Sequence, residues 1–127
     1  MFYSSDISIS DFEKEIEASV GWAIEKGFQL KNIPFVDGNK CSPLGAILLK
    51  NNLEPTYESK DVSLIAASND NFKKLNKNFE TTDMQLNSFL LGMYGCPDDN
   101  EYCKVIVAFH KLGIKYKDKI NEQNNKI

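Results

Sequence analysis

The stretch "GNKCSPLGAILLKN", residues 38–51, carries the densest run of structural signals in the chain. Ser42 followed by Pro43 is typical of a helix start, because serine caps free amide groups and proline suits the first helical position. Apolar residues then recur at helical spacing, which predicts a short buried helix over 43–51. Gly45 is small where an apolar side chain would be usual, so we expect another element to cross the helix there.

A longer helix is predicted upstream of this stretch. Ser10 and Glu13 have the spacing of a capping box, in which each side chain bonds the backbone amide of the other. An apolar stripe follows at intervals of three and four residues, and Gly27 suits the left-handed position that ends a helix. The pattern predicts a helix at about 11–26. Its stripe comprises Phe12, Ile16, Val20, Ala23 and Ile24.

Between these two helices the sequence favours extended structure. Pro34 interrupts an apolar run, and Asp37-Gly38 is a turn signal between two short segments. We therefore expect a short β-hairpin near 28–41.

Further helices are predicted in the middle of the chain. Ser59 is expected to cap a helix that reaches about residue 68, and the stretch 69–79 is expected to form another short helix. Thr82 and Gln85 form a second capping box. The helix behind it, over 83–94, has apolar residues on nearly all sides, which predicts the most buried helix of the domain.

The last helix is predicted over 99–117, where Asp98 and Glu101 form a third capping box. The polar residues 118–127 are expected to form a flexible tail, and residues 1–9 a flexible arm. The whole is expected to be mainly α: a compact single domain, 1–127, of about five to six helices with the short β-hairpin near 28–41. Glycines are expected to end helices or to let two helices approach closely. These are Gly27, Gly45, Gly92, Gly95 and Gly113.

The charge composition limits the function classes. All fifteen basic residues are lysine, and the formal net charge is −3. Without arginine the chain lacks the planar, bidentate group that reads guanine edges and clamps phosphates, so nucleic-acid binding is not expected. The chain has no apolar run of the ~18 residues needed to span a bilayer, and its first residues lack the pattern of a signal peptide. We expect no membrane association and a cytosolic location.

Cys41 is a candidate reactive thiol. A thiol just ahead of a helix N-terminus can have a lowered pKa and act as a nucleophile. Such a site also needs a base, and the single histidine, His110, lies far along the chain. The alternative is a small core residue packed behind the corner that Ser42 and Pro43 form.

A metal site is not predicted. The three cysteines and His110 add up to a zinc set, but Cys103 and His110 are seven residues apart on one predicted helix and would be separated by ~10.5 Å along its axis. The stretch "PDDNE", residues 97–101, lacks the ligand spacing of a calcium loop. No cofactor-binding motif occurs either, so no catalytic residue, metal or cofactor is assigned.

Trp22 lies off the apolar stripe of the first predicted helix. A large aromatic residue in that position either covers another element, here the 28–40 segment, or is exposed for a partner. Glu13, Glu15 and Glu17 lie nearby in the sequence and form a dense acidic start to the same helix. These four residues are the predicted partner-binding site, with a solvated acidic face as the alternative.

Four short motifs occur in a set order. They are "WAIEKGF" (22–28), "VDGNKCSPLGAILL" (36–49), "FLLGMYG" (89–95) and "FHKLGIKY" (109–116). The set resembles a group of small uncharacterised bacterial proteins, in which W-x4-G-F precedes C-x-P-L-G-A, a later F-x2-G-x2-G stretch and a terminal L-G step. The resemblance implies a shared fold over about 12–116 and no particular activity. This chain has "GMYG" where the group has an aspartate, and lysine where arginine is frequent.

We expect a non-enzymatic protein that binds another protein, as inhibitors, immunity proteins and adaptors do. A homodimer is a further expectation. Two alternatives stay open at this point: an enzyme or small-molecule sensor that uses Cys41, and a structural subunit of a phage or secretion assembly.

Overall fold

The computed structural model describes residues 8–57, 64–96 and 104–124 of this chain. In these ranges the chain is mainly α, as the sequence predicts. Its five helices are α1 (Ile9–Glu25), α2 (Pro43–Lys50), α3 (Leu64–Phe79), α4 (Asp83–Met93) and α5 (Lys104–Asn124). Its three strands are β1 (Gln29–Leu30), β2 (Val36–Asp37) and β3 (Lys40–Cys41). The predicted caps at Ser59 and at Asp98–Glu101 lie outside the described residues.

Helix α1 begins earlier than the sequence predicts. Ser8, not Ser10, is the N-cap, and its hydroxyl accepts a 3.0 Å hydrogen bond from the amide of Asp11. The earlier start places Ile9 in the first turn, where it packs against the core. Residues 8 and 9 therefore do not belong to an arm. Gly27 follows the helix with φ +92, as expected for a residue that ends it.

The predicted hairpin is present, and it has a third strand. Strands β2 and β3 pair antiparallel around Gly38, whose φ is +62. Strand β1 pairs parallel with β3, so the sheet order is β1-β3-β2. Parallel pairing of β1 with β3 requires a crossover connection and not a tight turn, so no turn signal in the sequence predicts it.

Helix α2 begins as the sequence predicts, with Ser42 as the N-cap and Pro43 in the first turn. The Ser42 hydroxyl accepts from the amide of Gly45 and donates to the carbonyl of Pro34 at 2.8 Å. A Cβ added at Gly45 would lie 2.6 Å from the carbonyl carbon of Phe35. The crossing element expected at Gly45 is therefore the backbone just ahead of β2.

Helix α3 is one helix where two short ones are predicted. The sequence suggests a break near residue 70 because polar residues cluster there, and such side chains often compete for backbone hydrogen bonds. Buried Asn71 bonds a neighbouring loop instead. Its Oδ1 accepts from the amide of Thr56 at 2.8 Å, and its Nδ2 donates to the Thr56 carbonyl at 3.0 Å. The helix backbone keeps its own bonds and continues.

Helix α4 has the predicted capping box between Thr82 and Gln85. Most of its residues are buried, but Met84 is 55% exposed, so apolar residues do not all face the core. Glycines let α4 and α5 touch. A Cβ at Gly92 would lie 3.0 Å from the carbonyl carbon of His110, and a Cβ at Gly113 would lie 3.0 Å from that of Phe89.

Helix α5 extends to Asn124, beyond the predicted end near residue 117. Ile120 is buried in the core, and Asn124 accepts a 3.1 Å hydrogen bond from Lys31. These tertiary contacts hold residues 118–124 in the helix, so the predicted flexible tail is wrong for them. The core that α5 completes is formed by residues from all five helices together with Leu30 and Phe35.

Candidate functional site

The four residues of the predicted partner site do not form one surface. At about 100° per residue, Trp22 lies within about 20° of Glu15 on α1. Glu13 and Glu17 lie about 180° and 140° away from Trp22 around the same helix. The buried stripe of α1 separates the two groups, because Phe12, Ile16 and Ala23 face the core between them.

Two of the three glutamates pair with lysines of other elements. Glu15 accepts from the Lys50 ammonium at 3.2 Å and from the Ser19 hydroxyl at 2.8 Å. Glu13 forms an ion pair with Lys115 of α5, and this hydrogen bond raises the pKa of Lys115. These carboxylates therefore connect α1 to α2 and α5, whereas Glu17 is exposed and has no ion pair within the described ranges.

Trp22 is half-buried and packs on the segment that follows α1, so it covers another element, which is one of the two roles predicted for it. Its ring stacks on Phe28 with 6.4 Å between centroids and 23° between planes. The two rings cover a small second core. That core consists of Ala23, Cys41 and Ala46 with Val20, Val36 and Leu49 at its edge.

Cys41 is buried in this second core, behind the Ser42–Pro43 corner. Burial raises the pKa of its thiol to about 11, because the thiolate would lose its hydration. Near neutral pH the group is therefore a protonated thiol with no exposed surface. This contradicts the hypothesis of a reactive thiol, which needs a lowered pKa and access.

Metal and membrane sites find no support in the part of the chain that is described. No three His, Cys, Asp or Glu side chains come close enough there to hold a metal ion. His110 instead donates from its Nε2 to the Cys96 carbonyl at 2.7 Å. Among the described helices, none combines the length and the apolar composition needed to cross a bilayer.

The structure shows a surface groove that the sequence does not reveal. Helices α1 and α5 lie side by side and run in the same direction, since Glu13 pairs with Lys115 at one end and Ile24 lies near Gln123 at the other. Residues of β1 line the space between them. The groove has two adjoining sections, of about 370 and about 260 Å³, that share Ile24, Leu30 and Gln123. The larger section is otherwise lined by Glu17, Val20, Gly21, Tyr116, Lys119 and Glu122. We call this surface the α1–α5 groove.

The groove has a defined extent. At one end, the ion pair between Glu13 and Lys115 joins the two helices. At the other end, the side chains of Lys31 and Asn124 are hydrogen-bonded. Between these points the helices leave apolar surface accessible, and Ile24 is 40% exposed although the sequence places it in the core stripe.

One lining residue of the groove, Tyr116, has an almost fully buried side chain. Tyr116 is only 1% exposed, and its hydroxyl makes no hydrogen bond within the described ranges. Burial raises the pKa of Tyr116 above its ordinary value, and the carboxylates of Glu17 and Glu13 add to this effect. An unpaired buried hydroxyl costs about 1–3 kcal/mol, so such groups are uncommon in folded proteins.

Gly21 is the second unusual feature of this surface. It lies inside α1, where glycine costs about 1 kcal/mol relative to alanine. A Cβ added there would have no heavy atom of the described residues within 4 Å outside α1's own backbone, so no contact among them requires glycine at this position. The signal in the sequence that points to this groove is Gly21, a glycine in the middle of a predicted helix that follows the apolar Val20.

The chain matches no protein-family model, no curated protein and no solved structure. The resemblance to small bacterial proteins with the W-x4-G-F and C-x-P-L-G-A motifs therefore stays a prediction.

Proposed function

We propose that this protein works without catalysis, by binding another protein through the α1–α5 groove, in the manner of an inhibitor, an immunity protein or an adaptor. The observation that carries the proposal is the exposed Ile24 on the α1–α5 groove, whose lining also includes Val20, Leu30 and Tyr116. Together they offer an apolar contact surface that the described part of the chain leaves accessible.

The shape of the groove suits a segment of protein rather than an enclosed small molecule. Its sections lie open along one side of α1 and are lined by apolar residues in the middle and charged residues at the rim. Two helices that leave an apolar channel between them commonly receive a third amphipathic segment. The charged rim, with Glu17, Lys119 and Glu122, would set the orientation of that segment.

The alternative in which Cys41 performs chemistry loses its basis, since burial leaves the thiol protonated and shielded. No feature of the groove supplies a nucleophile in its place. The lysines that line it have partners of their own: Lys119 lies 5.0 Å from the centre of the Tyr116 ring, and Lys31 donates a hydrogen bond to Asn124.

The proposal is tested by affinity capture from the source cell with matched isoleucine variants. Ile24→Glu places a charge in the groove, whereas Ile114→Glu places the same charge on α5 at a residue of the same exposure, 39% against 40%. We expect a stoichiometric protein partner with wild type and with Ile114→Glu. Ile24→Glu should lose it, because a buried unpaired carboxylate is strongly unfavourable at an apolar contact.

A third bait locates the surface if the groove is not the site. Trp22→Ala alters the opposite flank of α1, where Trp22 and Glu15 lie. A partner that is retained by Ile24→Glu and lost by Trp22→Ala would refute the groove and place the contact on that flank. Circular dichroism of each variant establishes that a loss of binding does not reflect unfolding.

A further inference from the structure

Two opposite charges line the larger section of the α1–α5 groove without pairing. Glu17 belongs to α1 and Lys119 to α5, and both residues are exposed. Neither forms an ion pair with any residue that the structure describes. The Lys119 ammonium lies instead 5.0 Å from the centre of the Tyr116 ring. This section of the groove therefore separates two charges that attract one another and have no other ion-pair partner in the described ranges.

A closed pair of the same kind lies one step earlier along both helices. Glu13 of α1 and Lys115 of α5 form an ion pair at the end of the groove. Glu17 and Lys119 each follow this pair by four residues, and the two helices run in the same direction. A step of four residues advances ~6 Å along a helix and rotates the side chain by about 40°. The second pair therefore repeats the closed pair at the next turn, with a rotation that long, flexible side chains can compensate.

Tyr116 relates both unpaired charges to one place. Lys119 lies over its ring. Burial is the main cause of the raised pKa of Tyr116, and the Glu17 carboxylate is the next, because a nearby negative charge opposes formation of the phenolate. The carboxylate and the ammonium thus both lie near the same side chain in the lining of the groove.

We propose that Glu17 and Lys119 act as a latch, an ion pair that closes the larger section of the groove and opens when a partner enters. Closing requires new rotamers of two exposed side chains and no movement of the helices. An exposed ion pair is weak, so the free chain populates both arrangements and a partner displaces the latch at little cost. The proposal rests on the proposed function, since the latch controls access to the same groove. Neither latch residue lines the smaller section, so Ile24 stays accessible in both arrangements.

The latch is tested by zero-length cross-linking with a water-soluble carbodiimide. The reagent adds to a carboxylate to give an O-acylisourea, the amine of a contacting lysine attacks its acyl carbon, and an amide forms as the urea leaves. Peptide mass spectrometry then locates each amide. The pair Glu13 and Lys115 is the positive control within the same molecule. Glu25 and Lys119 are the negative control, because Glu25 lies ~12 Å beyond Glu17 along α1 and about 80° around it.

We expect wild type to form the 13–115 amide and the 17–119 amide, with yields within about ten-fold of one another because exposed ion pairs differ little in strength. Glu17→Gln should lose the 17–119 amide and keep the 13–115 amide. Glu17→Lys and Lys119→Glu should each lose the 17–119 amide as single variants. The double variant that combines them should regain it, since it restores a carboxylate and an amine at the same two positions.

Three results would overturn the inference. They are a wild type that forms the 13–115 amide without the 17–119 amide, a Glu17 that couples only to Lys115, and a double variant that does not regain the amide. The proposed function would survive any of them, because the loss of a captured partner on Ile24→Glu does not depend on the latch. A 17–119 amide in a chain that captures no partner would retain the latch and refute the proposed function. Circular dichroism verifies that every variant folds.

Discussion

The same substitution at two helical glycines should change stability in opposite directions. Gly113→Ala adds a methyl group where α5 meets α4, and Gly21→Ala adds one on the exposed side of α1. At Gly113 the new Cβ would lie 2.9 Å from the Met93 amide nitrogen and 3.0 Å from the carbonyl carbon of Phe89. At Gly21 it would have no heavy atom within 4 Å.

The magnitudes follow from two opposing terms. Alanine is favoured over glycine in a helix by about 1 kcal/mol, and this gain applies to both sites. At Gly113 the obstacle is backbone, which no rotamer change can move away. The cost of overpacking, about 3 kcal/mol at the upper end of the usual range, should therefore exceed the gain. We expect Gly113→Ala to lose about 2 kcal/mol and Gly21→Ala to gain about 0.5–1 kcal/mol.

Urea denaturation followed by circular dichroism measures both changes. With a slope of about 2 kcal/mol per molar urea, the midpoint should fall by about 1 M for Gly113→Ala and rise by about 0.3–0.5 M for Gly21→Ala. Dilute protein keeps any self-association from contributing to stability. A Gly113→Ala variant as stable as wild type would refute the close approach of α4 and α5. Gly92→Ala, which meets the His110 backbone, provides an independent check on the same contact.

Two further predictions concern buried groups. Tyr116→Phe removes the hydroxyl that has no partner within the described ranges. The free energy of unfolding of the dilute protein should therefore rise by about 1 kcal/mol, and a urea midpoint lower than that of wild type would contradict this. The Cys41 thiol has its pKa raised from 9.0 to about 11, so the unfolded chain releases this proton first as pH rises. The free energy of unfolding should therefore be unaffected by this group below pH 9 and fall by about 2–3 kcal/mol between pH 9 and 11. Cys41→Ala keeps every tyrosine and should lack this part of the pH dependence. Urea titrations at each pH measure the free energy of unfolding of both proteins. The same dependence on pH in wild type and in Cys41→Ala would refute burial of the thiol.

Local signals in the sequence located most of the helices. Ser42 with Pro43, and Thr82 with Gln85, mark helix starts that the structure confirms. These signals are reliable because a cap bonds amides within three residues of itself, so no distant part of the chain is needed. The predicted start of α1 at Ser10 is wrong, because Ser8 also carries a capping hydroxyl and the helix that begins there packs Ile9 against the core.

The errors lie where distant residues override a local pattern. The polar stretch around Asn71 suggested a break, but its side chain bonds Thr56 in a loop and the helix continues. The polar end of the chain suggested fraying, but Ile120 is buried and α5 continues to Asn124. In both cases tertiary contacts stabilise a helix that local propensity disfavours.

The acidic residues of α1 show the same limit for the candidate site. Sequence proximity grouped Glu13, Glu15 and Glu17 with Trp22, whereas helical rotation places them on two flanks. Lysines of two other helices then pair with Glu13 and Glu15. Which charges stay unpaired depends on these partners, and the partners are distant in sequence.

The sequence by itself determined a mainly helical chain, the caps at Ser42 and Thr82, the turn at Gly38 and the glycines at which backbones meet, because each of these depends on neighbouring residues or on the size of one side chain. Only the tertiary structure decided that Cys41 is shielded, that Ile24 is exposed and that the buried Tyr116 hydroxyl has no hydrogen-bond partner among the described residues. The α1–α5 groove exists because Leu30 and Tyr116, far apart in the chain, come to lie beside about two turns of α1. No local pattern encodes that meeting, since it results from how the whole core packs.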